Sequence, residues 1–427
     1  MLISIIILLG FMFIGFPIYI ALLASSFYLL FFELSMSIQS VMLVLYDSVA
    51  RFTLAAVPFF LLTGAILENS TMGERLVEWM YRVVGKIRGG LPLTGILANE
   101  FFGAISGSSA AATATVGKIL HPKISKVESE SFSIGLLTSA GALSVIMPPS
   151  ITMILYGATA SISISDLFLT GIVPALIVGV VIGGFIIVRS KGELEVDAEV
   201  AAAAEATYLQ NLGRATKNAF WVILFPLIIL GGIYSGWFTP TEAAAFSAIY
   251  ALMVAVFIYR DMGFKSLFQS VKSSLELTMQ IFIVIAASAV FSQAMTFAQI
   301  PQQLVALTED MPAFYFLIVL NILLILVGMF FDPTSAILVL TPLIVPIAQN
   351  LGIDLIHLGL IMTMNIAIGM FTPPFGLNLF VSQGVFQKPM HEIVNSLRPF
   401  WVWYGLCLLI VTYWPQLFMW IPEAFSK

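Results

Sequence analysis

A chain of 427 residues that is 60% hydrophobic and 10% charged, with a mean hydropathy of +1.03, carries more apolar surface than a soluble core of that size buries, which excludes a water-soluble globular protein. The net charge of −5 is spread over loops without a basic, aromatic-interleaved patch, so no nucleic acid is expected as partner. One cysteine, Cys407, excludes a disulfide framework and a thiolate metal cluster. What remains is an all-α polytopic protein embedded in a lipid bilayer.

The chain opens on "LISIIILLGFMFIGFPIYIALLASSFYLLFF", long enough to cross about 30 Å of hydrocarbon. It lacks the basic start and small-residue cleavage site of a signal peptide and is read as retained. Arg51, in "DSVARFTLAAVPF", reads as an interface anchor rather than a substrate ligand. "STMGERLVEWMYRVVGK" puts apolar positions at helical spacing opposite charges, as "YRDMGFKSLFQSVK" does later, and both predict helices lying in the membrane interface. Leu91 to Leu120 then predicts a helix, a Gly/Ser tip in "GAISGSSAAA" and a second helix, and 127–160 a helix broken at "SVIMPPS".

The polar stretch 189–217 predicts a helical linker between two halves, 1–188 and 218–427. In the second half, Met311 to Asn350 repeats the hairpin around "GMFFDPTSAI", and 354–386 repeats the broken helix around "GMFTPPFGLNLF". The repeat keeps register: Gly103 and Gly328 stand 225 residues apart, as do Pro148 and Pro373, Pro149 and Pro374, and Pro174 and Pro399. Internal duplication of this kind marks secondary transporters, whose sites lie between the repeats near the midplane.

Lys and Arg orient the halves. The first hairpin is flanked by Arg75, Arg82, Lys86 and Arg88 before it and by Lys118, Lys123 and Lys126 after it, which predicts a re-entrant loop from the cytoplasm. Neither "LTEDMP" nor "AQNLGID" around the second hairpin holds a Lys or Arg, which predicts entry from the opposite face. The repeats are then inverted, with about nine traversals besides the two hairpins.

Adjacent prolines remove two backbone donors and push the residue before them out of helical geometry. Freed carbonyls at that depth persist only inside protein or against a wet cavity. The hydroxyls of Ser106, Ser108 and Ser109 around Gly107 face carbonyls freed by Pro148 and Pro149; Asp332, Thr334 and Ser335 face the backbone of Gly369, Met370 and Thr372. Such oxygens, with little formal charge, suit Na⁺. Small residues also serve simply to let membrane helices pack closely, but their repetition opposite two Pro-Pro breaks favours a site. Asp332 is costly in an apolar run unless it faces a cavity, and it also suits a helix N-cap. Glu100 is read as hydrogen-bonded within the scaffold rather than as part of an ion field. Thr152 and Asn378, just past the breaks, fall at exposed half-helix N-termini that suit a substrate carboxylate, with Ser109, Ser335, Pro149 and Pro374 beside them. An enzyme is not expected: His121, His357 and His391 form no HExxH, and His121 lies about 18 Å along a helix from Ser109. A channel or a stand-alone Na⁺/anion symporter stays open as an alternative.

The paired signatures "GAISGSSAAATATVGKI" with "MPPS" and "GMFFDPTSAI" with "GMFTPPFGLNLFV", with the opening "GFPIYIAL", resemble the large membrane subunit of TRAP transporters, the DctM-like family, over nearly the whole chain. The resemblance implies a bacterial inner-membrane protein working with a separate small four-helix membrane subunit and a periplasmic substrate-binding protein. It further implies Na⁺-coupled import of an organic acid by an elevator movement of a transport domain against a scaffold. Carried over, it puts one Na⁺ site on Ser106, Gly107, Ser108 and Ser109 with Ser144, Val145, Met147 and Pro148. The other falls on Gly328, Asp332 and Thr334 with Gly369, Met370 and Thr372. Among substrates the sialic-acid type is the leading expectation, ahead of C4-dicarboxylates.

Overall fold

The computed structural model describes residues 2–190 and 198–425, all of them helix, turn or loop, with no strand among the described residues. Residues 191–197 of the expected linker lie outside them. The first half holds α1 (Leu2–Ile14), α2 (Ile18–Phe27), α3 (Ile38–Val49), α4 (Ala56–Glu68) and α5 (Met72–Val84), then α6 (Gly90–Ser106) and α7 (Ser109–Val127). The broken helix follows as α8 (Glu130–Ala140), α9 (Leu143–Ile146) and α10 (Ile151–Ala160), and α11 (Ile164–Arg189) closes the half.

After α12 (Ala198–Tyr234), α13 (Pro240–Met253), α14 (Phe264–Phe297) and α15 (Ile300–Thr308), the same arrangement returns as α16 (Ala313–Phe330) and α17 (Pro333–Asn350), then α18 (Leu355–Gly369) and α19 (Leu377–Phe386). Short helices α20 (Met390–Ser396) and α22 (Trp420–Phe425) flank α21 (Arg398–Tyr413). The expected boundary at 217 is not a break, because α12 runs through it; the expected first hairpin ends at Leu120, but its second arm continues to Val127. Seven helical segments are long and apolar enough to cross a membrane, or nine when two pairs bent by 50° each count as one. This count includes both arms of the second hairpin.

Local chemistry explains each turn. Gly107 takes the left-handed conformation (φ 61°), which a side chain would oppose, and donates its N–H to Gly103 O at 2.8 Å to close α6. Ser108 then caps α7 by accepting from Ala111 N at 3.3 Å. In the second hairpin Asp332 caps α17, with Pro333 at its first position. Met147 is extended, as a residue before proline must be (φ −74°, ψ 125°), and both Pro-Pro bonds are cis.

The two halves exchange elements. Within each half the hairpin packs on the part of the broken helix that precedes the break, but α10 packs along α17 and α19 along α7. The first hairpin therefore holds the end of the second broken helix, and the second holds the end of the first. Around this unit α14 runs against α2, α3 and α4, where Leu22, Leu29, Leu30 and Val41 meet Ala287, Val290, Phe291 and Ala294 in a separate apolar cluster. On α5, Met72, Leu76, Val77 and Met80 are buried, while Glu74 is exposed and Arg75, Glu78 and Arg82 are half-buried.

Candidate functional site

The first tip meets the first break through glycine. A Cβ on Gly103 would collide with the Ser144 backbone, and one on Gly107 would come within 3.4 Å of Ile151 N, so the hairpin lies directly on the chain around Pro148 and Pro149. Ser106 and Ser109 are buried, Gly107 and Ser108 half-buried, and Ser106 abuts α4 where a Cβ on Gly64 would lie 3.1 Å from its own. Ser144 donates to Asn99 O at 3.2 Å, and Val145 and Pro148 are buried beside it with Met147 half-buried.

The second tip meets the second break in the same way. A Cβ on Gly369 would stand 2.5 Å from Gly328 backbone carbon, so two helices cross backbone to backbone there. The chain then turns: Met370 O accepts from Asn378 N at 2.9 Å, and Thr372 O accepts from Gly376 N at 3.3 Å, while the Thr372 hydroxyl donates to Ile368 O at 2.7 Å. This break is the more open of the two, with Pro374 and Phe375 exposed where Pro148 and Pro149 are buried. Asp332 is exposed and Thr334 half-buried; both Asp332 carboxylate oxygens accept from Ser335, one from its N–H at 3.1 Å and one from its hydroxyl.

Three expectations change. Thr152 and Asn378 follow the breaks but are buried rather than exposed, because α10 and α19 cross into the opposite half. Asn378 instead joins a network: Ser109 Oγ donates to its Oδ1 at 2.9 Å, its Nδ2 donates to Thr138 O at 3.3 Å, and Thr138 and Ser382 hydroxyls pair at 2.8 Å. Gly141 adjoins this network, since a Cβ there would meet both the Thr113 hydroxyl and Asn378. Glu100 lies on the side of α6 against Gly179 of α11, and its Oε1 is buried with no hydrogen bond, contrary to the expected scaffold bond.

Polar groups in the middle of apolar helices escaped the sequence reading. Asn365 donates to Asn321 Oδ1 at 2.7 Å and Asn321 to the Thr412 hydroxyl at 3.2 Å, tying α18, α16 and α21 together. Buried side-chain oxygens without a partner lie on the hairpins and broken helices of both halves: Asn99 Oδ1 on α6, Thr113 Oγ1 on α7 and Ser150 Oγ just before α10 in the first, Thr341 Oγ1 on α17 and Thr363 Oγ1 and Asn365 Oδ1 on α18 in the second. The signal was the asparagine itself, in "LANEFF", "FLIVLNILL" and "MTMNIAIG", because such groups are costly in hydrocarbon and normally face the interior. Lys388 pairs with Glu130 at 2.9 Å, linking the chain after α19 to the start of α8; that hydrogen bond holds the Lys388 ammonium above its usual range.

A helical membrane protein with two tip-and-break pairs has the form of a secondary transporter. Residues 5–417 match the family described as the tripartite ATP-independent periplasmic transporter, DctM component. The chain belongs to this family. It is 38% identical to the C4-dicarboxylate TRAP transporter large permease protein DctM of Pseudomonas aeruginosa, over 91% of this chain and 90% of that one. It is 34% identical to the ectoine/5-hydroxyectoine TRAP transporter large permease protein UehC of Ruegeria pomeroyi, over 97% and 96%. The sialic acid TRAP transporter large permease protein SiaM of Vibrio cholerae is 30% identical, over 98% and 97%. A solved structure, the Alcanivorax borkumensis YdaH transporter, superposes with a TM-score of 0.60 at 12% identity, covering 90% of this chain and 89% of that one, which is a likeness of fold.

Proposed function

We propose that this chain carries the transport path of a three-part, Na⁺-coupled importer of a small organic acid in the bacterial inner membrane. A periplasmic binding protein delivers the acid, and a small membrane subunit completes the scaffold. The observation that carries the reading is the exchange between halves: each tip rests on its own Pro-Pro break while the helix leaving that break is held by the other hairpin. A unit knitted in this way moves as one body, which is what an elevator movement requires.

The oxygens at the tips and breaks are hydroxyls, amides and carbonyls with Asp332 as the one acid, a set that fits a hard monovalent cation. Ser106, Gly107, Ser108 and Ser109 with Ser144, Val145, Met147 and Pro148 would hold one Na⁺. Gly328, Asp332 and Thr334 with Gly369, Met370 and Thr372 would hold another. Bound there, the ions supply positive charge beside an incoming carboxylate. The exposed backbone at Pro374 would meet that carboxylate, while Thr152, Asn378 and Ser335, buried beside the breaks, would hold the breaks in shape rather than touch it. Relatives bear the names of C4-dicarboxylate, ectoine and sialic-acid transporters at 38%, 34% and 30% identity, so both the sialic-acid and the C4-dicarboxylate readings fall within this class.

The test is uptake into proteoliposomes that contain this chain, the small subunit and the binding protein, with succinate and N-acetylneuraminate as probes. Accumulation should require an inward Na⁺ gradient and all three proteins. Full-rate uptake by this chain alone would instead mean a stand-alone symporter, and uptake indifferent to Na⁺ would remove the coupling.

A further inference from the structure

A cavity of about 400 Å³ lies away from the hairpin tips, between the junction of α3 with α4, the end of α10, the last third of α14 and the middle of α17. By the distribution of Lys and Arg this is the outer face, because α4 leads inward to the Arg-rich α5 and α10 ends at the uncharged turn before α11. Two charged residues line it, Asp47 and Arg51. Arg51 Nη1 donates to Ala158 O at 2.6 Å, closing the C-terminal end of α10 and leaving four of the five guanidinium N–H donors for other use. Asp47 makes neither a hydrogen bond nor an ion pair among the described residues, although Arg51 is only four positions away. Ser288 and Gln293 also line the cavity, and Ser288 Oγ and Gln293 Oε1 are buried without partners.

Unpartnered buried polar atoms beside an opposed pair of charges are what a small polar ligand satisfies. The formal charges of the lining cancel. A molecule that brings one carboxylate or sulfonate to Arg51 and a hydroxyl or cationic donor to Asp47 meets both. A dianion sets its second charge against Asp47, and like charges in such a recess repel.

We infer that this cavity is an outer substrate subsite that selects small acids carrying one anionic group and one hydrogen-bond donor over dianions. The inference rests on the transport reading above and narrows its substrate class. It also gives Arg51 a role other than the interface anchor expected from the sequence.

Equilibrium binding to this chain purified with its small subunit, in the absence of the binding protein, tests it with three probes: ectoine, isethionate and succinate. Ectoine or isethionate should bind at least tenfold more tightly than succinate. Arg51→Gln should weaken the tighter probe at least tenfold, and Asp47→Asn should narrow the gap by improving succinate. If Arg51→Gln does not fold, Ala289→Trp decides, since it fills the cavity from an apolar wall position and should abolish the same binding. Succinate bound most tightly by the unaltered protein, or binding unchanged in Arg51→Gln or Ala289→Trp, overturns the inference. Na⁺-driven uptake by the complete wild-type assembly separates the two claims: if it persists while the cavity variants bind normally, only the subsite falls. If the assembly takes up none of the probes, the transport reading falls and the subsite with it.

Discussion

The Ser109 hydroxyl donates to the Asn378 amide oxygen at 2.9 Å, although 269 residues separate them. Ser109 is the first residue of the arm that leaves the first tip, and Asn378 lies just past the second break, so this bond joins the two halves at their centre. Both side chains are buried. Ser109→Ala leaves Asn378 Oδ1 without a donor, which should cost about 1 to 3 kcal/mol. Ser109→Thr keeps a hydroxyl and should lose less. Thermal unfolding of the purified protein reads the difference, and equal stability of both variants with wild type would show that the bond contributes nothing.

Glycine at the crossing of α16 and α18 gives a sharper expectation. Gly369→Ala places a methyl 2.5 Å from Gly328 backbone, where neither helix has a flexible side chain to move aside. Gly384→Ala, in α19, meets nothing within 4 Å. The first should lower both folded yield and uptake, whereas the second should leave them intact and even gain slightly from better helix propensity. Expression and size-exclusion profiles of the pair decide; a well-behaved Gly369→Ala protein would mean that the two helices can separate at no cost.

The tips and breaks were legible because their residues leave the backbone little choice. Gly107 and Ser108 end one helix and cap the next, Asp332 and Pro333 do the same, and a double proline interrupts any helix it enters. The offset of 225 residues then paired them. Hidden from the sequence was where the helices after the breaks would go. Thr152 and Asn378 appeared as exposed helix starts because nothing local tells α10 to lie on α17, or α19 on α7. The hydrogen bond from Arg51 to Ala158, 107 residues away, was hidden for the same reason. Such pairings arise from shape matching between distant faces, and periodicity along one helix does not encode its partner.

Topology follows from the charge distribution and is open to direct measurement. Lys123, beyond the first hairpin, should face the cytoplasm, and Asp310, before the second, should face outward. Both positions are exposed, and the one native cysteine, Cys407, is buried. Single cysteines at Lys123 and Asp310 in a Cys407→Ser background should therefore react with an impermeant thiol reagent from opposite sides of the membrane. Reaction of both from the same side would end the inverted-repeat reading.

The coupling ion is where the tips and breaks meet function. If the Pro-Pro breaks free carbonyls for Na⁺, then removing oxygens from the opposing tips should weaken Na⁺ activation before it unfolds the protein. Asp332→Asn isolates the charge, because asparagine caps a helix about as well as aspartate and can still accept from Ser335 N. It should raise the Na⁺ concentration needed for half-maximal uptake, about tenfold if one contact of about 1.4 kcal/mol is lost. Ser106→Ala and Thr334→Val each remove one neutral oxygen and should shift the same curve by less. Ser106 is buried against Gly64, so its alanine variant keeps the tip packed on α4, but it also loses the hydrogen bond that Ser106 Oγ accepts from Ser108 N at 3.3 Å, and its thermal stability is therefore measured beside its Na⁺ response. At saturating Na⁺ all three should recover saturable substrate uptake, because the substrate groups are untouched. Folded variants with an unchanged Na⁺ response would mean that the tips are packing elements and that the ions bind elsewhere.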